Sequence, residues 1–196
     1  MVNLVKYKPN MLNFSQLDKG ITIIIDNQPY EILEASRFFK GRGRSVLQVK
    51  VKNLITGAII SKTFHPSDSF EEAEIKKIKA KFLYAHHNQF FFSKENDPSF
   101  RFSLNEEIIG ENSKFLKQNL IVEALLFQDK IINVSLPIKL NLKVIEAPPG
   151  VQGSRSQPGT KTVTLETKAK INTPLFIKEG DVIEINTETG QYVRRL

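Results

Sequence analysis

The basic stretch SRFFKGRGRSVLQVKVK, residues 36–52, holds the residue types best suited to binding a polyanion. Gly41 and Gly43 bracket Arg42, and glycine adopts the positive φ angles of a tight turn without steric cost. Lysine and arginine make the phosphate contacts that hold proteins on nucleic acids. Every ionisable residue of the stretch is basic, namely Arg37, Lys40, Arg42, Arg44, Lys50 and Lys52. The pattern indicates RNA contact, and the alternative is a hairpin whose arginines only keep the sheet soluble and its edges unpaired.

The residues that usually catalyse reactions or bind metals are poorly arranged in this chain. Two of its histidines are adjacent, which directs them to opposite faces of a strand or to a turn, a poor arrangement for chelation: His65, His86 and His87. The paired carboxylates are chain neighbours rather than facing groups, at Glu71-Glu72 and Glu106-Glu107. No nucleophile elbow, phosphate-binding loop or dinucleotide fingerprint occurs in the sequence. We therefore expect a protein that is not an enzyme and that has no metal site and no cofactor.

The composition narrows the class of protein and of partner. A net charge of +7 over 196 residues favours a polyanionic partner, although charge that only confers solubility is an alternative. Cysteine is absent, and no apolar run approaches the length of a membrane span. The first residues lack the apolar stretch of a secretory signal. These features predict a soluble, cytoplasmic protein with no membrane partner.

Strands separated by turns must position the basic stretch. Ile21, Ile23 and Ile25 alternate before a turn predicted at residues 26–29. After the glycines, apolar residues alternate with polar ones, with Leu47, Val49 and Val51 on one face and Gln48, Lys50 and Lys52 on the other. The stretch is therefore predicted to be a hairpin, with Gly41–Gly43 at its tip. Phe38, Phe39, Val46 and Leu47 could stack on bases, but the β-pattern favours the core for them.

The rest of the chain continues this pattern of short strands. Hairpins are predicted around residues 86–88 and 128–130, and the clearest strand, residues 137–147, has Ile138, Leu140, Leu142 and Val144 on one face. Residues 103–119 are the best helical candidate, interrupted by Gly110, while residues 71–82 fit either a helix or a strand. The Pro/Gly/Ser-rich residues 147–161 are predicted to be a loop. We expect an all-β protein of several small barrels in series.

The chain resembles bacterial elongation factor P over nearly its whole length. KGITIIIDNQPYEILEASRFFKGRGRSVLQVKVKNLITGAIISKTF keeps the EAS-F-K-G hairpin and K-NL-TG turn of that family's first domain. The similarity continues through DSFEEAEI, FLY, IGENSKFLKQ, APPG and TLETKAKINTPLFIKEGDVIEINTETGQYVRR. The resemblance implies three β-barrel domains that form an L-shaped mimic of tRNA. These are an SH3-like domain at 1–73 and OB-like domains at 74–136 and 137–196.

The resemblance also implies a function. It implies a monomeric, non-enzymatic factor that binds the ribosome between the P and E sites, contacts ribosomal RNA and P-site peptidyl-tRNA, and relieves stalling at consecutive prolines. Arg42 matches the family's tip residue, which reaches toward the peptidyl-transferase centre and is modified by a dedicated enzyme; in arginine-type members the modification is glycosylation by a sugar such as rhamnose. Lys40, Gly41, Gly43 and Arg44 would support the tip. Contacts to tRNA or the ribosome are implied for Gly153, Ser154, Arg155, Lys161, Tyr192 and Arg195.

Three departures from the family pattern leave alternatives open. The tip is one residue shorter than usual, so Lys40 or Arg44 could be the projecting group instead of Arg42. Arg155 stands where the family has an acidic residue, which brings codon contact by the usual residues into question. Lys168 and Thr173 replace a family glycine and valine. The alternatives are a paralogue similar to elongation factor P with altered codon contact, and a general RNA-binding β-barrel protein.

Overall fold

The computed structural model describes residues 10–40, 44–149 and 159–196. It is mostly β, with one short α-helix, α1 (Glu106–Ile109), that continues as a 3-10 segment (Gly110–Phe115), and with a 3-10 turn at Phe14–Gln16. The strands of the described residues are β1 (Met11–Asn13), β2 (Thr22–Ile25), β3 (Gln28–Lys40), β4 (Arg44–Asn53), β5 (Ile59–Phe64), β6 (Ser69–Glu71), β7 (Ile75–His86), β8 (Gln89–Lys94), β9 (Asp97–Asn105), β10 (Ile121–Phe127), β11 (Lys130–Ser135), β12 (Lys139–Glu146), β13 (Thr160–Leu165), β14 (Lys170–Pro174), β15 (Val182–Asn186) and β16 (Gln191–Arg195).

Three larger sheets follow one another along the chain, which confirms the predicted fold class. Their strand orders are β2-β3-β4-β5, β11-β10-β7-β8-β9 and β14-β13-β12-β15-β16, and β1 pairs separately with β6. By spatial proximity the chain divides into two compact units, one with the described residues up to Lys77 plus Leu125–Asn133, the other with Ile78–Ala124 plus Val134–Leu196. The boundaries expected after residues 73 and 136 stay a prediction.

The first sheet follows the sequence pattern closely. Leu47, Val49 and Val51 are buried in one cluster with Ile23 and Ile32, while the polar residues between them in β4 are exposed, as predicted. The turn between β2 and β3 is shorter than predicted, because Asp26 and Asn27 alone form it, with φ values of 51° and 62°. Two positive φ values in succession give the hairpin turn that matches strand twist.

The middle sheet contains most of the segment that fitted either a helix or a strand, and the predicted helix follows its edge strand, β9. The ambiguous residues 71–82 belong largely to β7, and a two-residue turn at His87 and Asn88 leads into β8. The predicted helix is reduced to one turn because Gly110, with φ of 68°, ends α1. A second predicted hairpin is found between β10 and β11, with the turn at Gln128 and Asp129. None of the helices in the described ranges has the length and apolarity needed to span a membrane.

The C-terminal sheet is built around β12. Leu140, Leu142 and Val144 are buried as predicted, but Ile138 is 56% exposed. The prediction for Ile138 was wrong because β12 begins one residue later, at Lys139, directly after the Pro137–Ile138 segment. The two edge strands, β14 and β16, approach each other, as expected for a sheet that curls toward a barrel.

Candidate nucleic-acid interface

The β3–β4 hairpin carries the predicted tip at the end of a long antiparallel ladder. Its register runs from Tyr30 opposite Asn53 to Lys40 opposite Arg44, with one irregularity between Ile32 and Glu34. Only Gly41, Arg42 and Gly43 connect the last pair, and these three residues lie outside the described part of the chain. The predicted hairpin is therefore present, and its backbone is paired as far as Lys40 and Arg44.

Arg37 anchors the hairpin to the segment that precedes it. Its Nη2 donates to the carbonyl oxygens of Ser15 and Leu17 at 3.2 and 3.0 Å. The side chain of Asn13 caps the 3-10 turn at Phe14–Gln16 that carries the first of these carbonyls. Arg37 lies opposite Leu47 in the register, so its stem starts beside the core and its guanidinium reaches the turn. This arginine supports the hairpin, a role that its sequence context did not distinguish from phosphate binding.

The basic residues nearest the base of the hairpin face carboxylates. Lys50 Nζ lies 3.0 Å from an oxygen of Glu34, with both side chains more than half exposed. Lys52 is directly opposite Glu31 in the register. From Ser36 to Lys52 the chain itself contributes no acidic residue. Positive charge is therefore balanced at the base of the hairpin by Glu31 and Glu34 and increases toward its tip.

The outer end of the hairpin exposes two phenylalanines that were predicted to lie in the core. Val46 and Leu47 are 6% and 0% exposed, as that prediction required, but Phe38 is 48% and Phe39 is 85% exposed. The prediction for the phenylalanines was wrong because the ladder extends beyond the core. Leu47 is the last core-cluster residue toward the tip, and Phe38 and Phe39 pair one and two residues further out, with Val46 and Ser45. Of the two interpretations of these phenylalanines, stacking on bases was less favoured than packing in the core, and their exposure is compatible with stacking.

The predicted loop contacts of the last domain are only partly described. Gly153, Ser154 and Arg155 lie outside the described residues. Lys161 is described, and its Nζ donates to the carbonyl of Pro148 at 2.9 Å. The ammonium group of Lys161 thus supports the segment that leads into the loop.

The two family departures in this sheet are Thr173, which is buried, and Lys168, which has a left-handed backbone conformation. Thr173 is 1% exposed opposite Lys161, and its hydroxyl donates a long hydrogen bond of 3.4 Å to the Lys161 carbonyl. Lys168 has a φ of 67°, in the turn between β13 and β14, and its amide donates to Leu165 O at 2.7 Å. Thr173 fills about the volume that the family's valine would occupy. At the left-handed φ of Lys168, the family's glycine would be unstrained.

Tyr192 and Arg195 both lie on β16, and Arg195 contacts two neighbouring side chains. Its Nη1 is 3.7 Å from a carboxylate oxygen of Asp181, and its guanidinium carbon lies 5.5 Å from the centre of the Phe176 ring. Tyr192 is half-buried opposite Ile185. The guanidinium group of Arg195 therefore combines an ion pair with a cation–π contact.

A neighbouring charge cluster was missed by the sequence analysis. Glu184 is 6% exposed, and its Oε2 accepts from Arg194 Nη2 at 3.1 Å. Lys139 Nζ lies 3.6 Å from its Oε1, which is an ion pair too long for a hydrogen bond. The only sequence signal was an acidic residue inside the apolar run VIEI of β15.

The described residues contain no group of three or more side chains suited to holding a metal ion. His86 and His87 contact each other at the β7–β8 turn, with ring centres 3.9 Å apart. Away from these sites, the pKa of Asp97 is held below its ordinary value of 3.8, chiefly because the Ser99 hydroxyl donates to its carboxylate.

Family models and relatives of known sequence indicate the same family, and a solved structure has a similar fold. The family model described as "Elongation factor P (EF-P) KOW-like domain" matches residues 13–70, and that described as "Elongation factor P, C-terminal" matches residues 140–195. Proteins named elongation factor P from Desulfotalea psychrophila and Endomicrobium trichonymphae are each 37% identical to this chain; the alignments cover 95% and 94% of it and 99% and 100% of those proteins. The solved structure of eukaryotic translation initiation factor 5A from Methanococcus jannaschii is similar in fold, with 20% identity and a TM-score of 0.50, covering 68% of this chain and 99% of that one.

Proposed function

The chain belongs to the elongation factor P family of non-catalytic translation factors, and we propose that it binds the ribosome and relieves stalling at consecutive prolines. In this proposal the protein occupies the space between the P and E sites and contacts ribosomal RNA and the P-site peptidyl-tRNA. It acts as a monomer in the cytoplasm, and Arg42 is the residue nearest the acceptor end of the tRNA.

The geometry of the β3–β4 hairpin is the observation that carries this proposal. The ladder remains paired to Lys40 and Arg44 although the core cluster that contains Leu47, Val49 and Val51 extends no nearer the tip than Leu47. A hairpin that continues beyond its own core can bring a short connection to a distant partner. Arg37 donates hydrogen bonds to the carbonyls of Ser15 and Leu17, and these bonds support the hairpin near the end of its ladder. Rigid support of this kind suits a group that must be presented at a defined position.

Arg42 would act by positioning. An arginine stays protonated at any physiological pH and presents a planar set of donors that suits phosphate and ribose oxygens. Donors held beside the acceptor end would order a slowly reacting peptidyl-tRNA into attack geometry. Such ordering lowers the entropic part of the barrier without any proton transfer by the factor.

A covalent modification would extend the reach of this group. An enzyme that aminoacylates lysine has no substrate at Arg42, so we propose glycosylation of its guanidinium by a dedicated enzyme, with a deoxyhexose such as rhamnose. Mass spectrometry of the tip peptide from the native host would show the added sugar on Arg42. An unmodified native peptide would contradict this part of the proposal and leave the positioning role intact.

The C-terminal sheet would supply the second contact with tRNA or the ribosome. We propose that Tyr192 and Arg195 face the tRNA, with Gly153, Ser154 and Arg155 in the loop contact. Lys161 supports that loop through its bond to Pro148. An arginine at position 155, unlike the acidic residue of the family, can bind a phosphate.

The test is the yield of full-length product from a cell-free translation system that lacks its own factor and reads a triple-proline reporter. We expect the wild-type protein to restore the yield and Arg42→Ala not to. Lys19→Ala removes an equal charge from an exposed turn and should restore the yield as wild type does. Lys40→Ala and Arg44→Ala identify the projecting residue, because only the residue that reaches the tRNA should abolish rescue when replaced.

Failure has defined consequences. If recombinant wild type gives no rescue, protein purified from the native host, which carries any modification, is tested in the same system. Failure of that protein too would overturn the proline-stalling proposal and favour a paralogue with an altered codon contact. Binding to structured RNA of any kind without preference for ribosomes would favour a general RNA-binding protein instead.

A further inference from the structure

The outer face of β7, β8 and β9 carries aromatic side chains that do not pack in the core of the sheet. Cross-strand register defines three rows on this face, which are Lys81–Ser93–Arg101, Tyr84–Phe91–Ser103 and His86–Gln89–Asn105. The opposite face holds the buried phenylalanines of the sheet, among them Phe82 and Phe92. All of these residues belong to the same compact unit.

Tyr84 and Phe91 form a stacked pair in the middle row. Their ring centres are 4.7 Å apart with an interplanar angle of 20°. Tyr84 is 52% exposed, so much of its ring is open to solvent while the other side is supported by Phe91. An exposed aromatic ring that is supported on one side by a second ring can stack an unpaired base on its free side, with little dependence on which base it is.

The charge of this face complements a nucleic acid. Its three rows contain Lys81 and Arg101 and no carboxylate. The two cations lie in one row, on either side of Ser93, and that row is next to the aromatic pair. Arg101 is exposed, and its Nε donates a long hydrogen bond of 3.5 Å to the carbonyl of Pro98. Cations beside an aromatic platform let one strand of RNA be held by its phosphates and its base at once.

We propose that this outer face is a second RNA-contact surface, which stacks an unpaired base on the Tyr84–Phe91 pair while Lys81 and Arg101 contact flanking phosphates. The partner is an unpaired segment of RNA, because stacking on Tyr84 requires a base that is free of a neighbour. The surface goes beyond the function proposed for the hairpin tip and uses none of its residues.

The test is binding of the full-length protein to a fluorescently labelled single-stranded RNA of about 12 nucleotides, a length within the range that an OB-like sheet covers. Loss of one stacked base predicts that Tyr84→Ala weakens binding by about tenfold or more, while Tyr84→Phe keeps the ring and should bind within about twofold of wild type. Arg101→Ala and Lys81→Ala should each lower the slope of log affinity against log salt by about 0.7.

Two matched variants and one matched probe separate stacking from charge alone. Phe100→Ala removes a ring of similar exposure, 46%, from the strand that carries Arg101, and Lys130→Ala removes an exposed charge from β11; both should bind as wild type. A blunt RNA duplex of equal length offers phosphates without free bases, so Tyr84→Ala should bind it as wild type does.

Wild-type affinity for single-stranded RNA in the Tyr84→Ala variant would overturn the proposal. Equal losses in Tyr84→Ala and Phe100→Ala would overturn it too, since the effect would not depend on this face. If, in a separate ribosome-pelleting experiment, Tyr84→Ala loses affinity for ribosomes but keeps it for the RNA probe, the face contacts a protein and the RNA assignment is wrong. The RNA-binding assay itself contains no ribosome, so its failure leaves the proline-stalling proposal standing.

Discussion

The outer end of the β3–β4 hairpin and the β15–β16 strand pair use similar residues in opposite ways. Both carry aromatic and basic side chains near strand ends. In the hairpin, Phe39 is 85% exposed, and no acidic residue occurs between Ser36 and Lys52. In the strand pair, Arg194 bonds to Glu184 and Arg195 lies against Asp181. Residue type alone therefore does not indicate which cations are available to a partner.

The difference lies in the neighbouring carboxylates. A cation that is already paired must give up its partner before it can bind a phosphate, which lowers the net gain from binding. This applies most strongly to Arg194, whose partner Glu184 is buried, so Arg194 contributes mainly to the stability of the sheet. An exposed side chain beyond the core cluster of the hairpin, such as Phe39, contributes little to stability and stays accessible to a partner. Substitutions in the two regions should therefore separate stability from function.

Arg194→Ala is expected to have the largest effect on stability. It removes the hydrogen bond to Oε2 of Glu184, a carboxylate that is almost fully buried, and leaves only Lys139 at 3.6 Å. A hydrogen bond to a charged group contributes about 1.5–3 kcal/mol, so the free energy of unfolding should fall by about 2 kcal/mol, measured by urea unfolding. In a Glu184→Gln background the same change should cost well under half of that. Equal costs in the two backgrounds would show that the pair is not the source of the stability.

Arg37→Ala tests the anchor at the base of the hairpin. The change leaves the carbonyls of Ser15 and Leu17 without their donor, and the second of these is part-buried. We expect a loss of about 1–2 kcal/mol in the free energy of unfolding. The control is Lys50→Ala, which breaks the exposed ion pair with Glu34 and should cost about 0.5 kcal/mol or less. If the two variants are equally stable, Arg37 is no more than a surface charge.

Most of the fold could be predicted from local patterns, because alternation and turn chemistry are local properties. Leu47, Val49 and Val51 alternate because one side of β4 faces the core. The position of the turn at Asp26–Asn27 could be predicted, but its last residue could not, because the pairing of Gln28 with Ile25 depends on the partner strand. Alternation also failed for Ile138, because where a strand begins is decided by its neighbours.

The site could be predicted less completely, because exposure depends on tertiary distance from the core. Phe38 and Phe39 have the composition of a core strand, but their part of the ladder lies beyond Leu47. Arg37 and Arg194 differ from other arginines only in the groups that the fold brings near them. The outer aromatic pair, Tyr84 and Phe91, depends on register between two strands and on the irregularity between Phe82 and Tyr84.

Lys168→Gly should stabilise the sheet that holds the paired cations. A φ of 67° is unfavourable for a residue with a Cβ, and the side chain is exposed. Relief of this strain, reduced by the greater freedom of glycine in the unfolded chain, should raise the free energy of unfolding by about 0.5–1 kcal/mol. Lys170→Gly, two residues on in β14 and outside the left-handed region, should lower it by a similar amount. A loss of stability in both variants would argue against strain at Lys168.

Phe39→Ala is expected to have the smallest effect on stability and gives the sharpest test of the comparison. The ring is 85% exposed and pairs with Ser45 beyond the core, so the free energy of unfolding should change by no more than about 0.5 kcal/mol. An exposed aromatic residue next to the basic tip can stack on the sugar or base of a bound RNA, so rescue of the triple-proline reporter should fall severalfold. Phe176→Ala removes a ring of 55% exposure beside Arg195 and should leave rescue within about twofold. Full rescue by Phe39→Ala would show that exposure at the hairpin end follows from the length of the ladder alone, and that the tip acts without its aromatic neighbours.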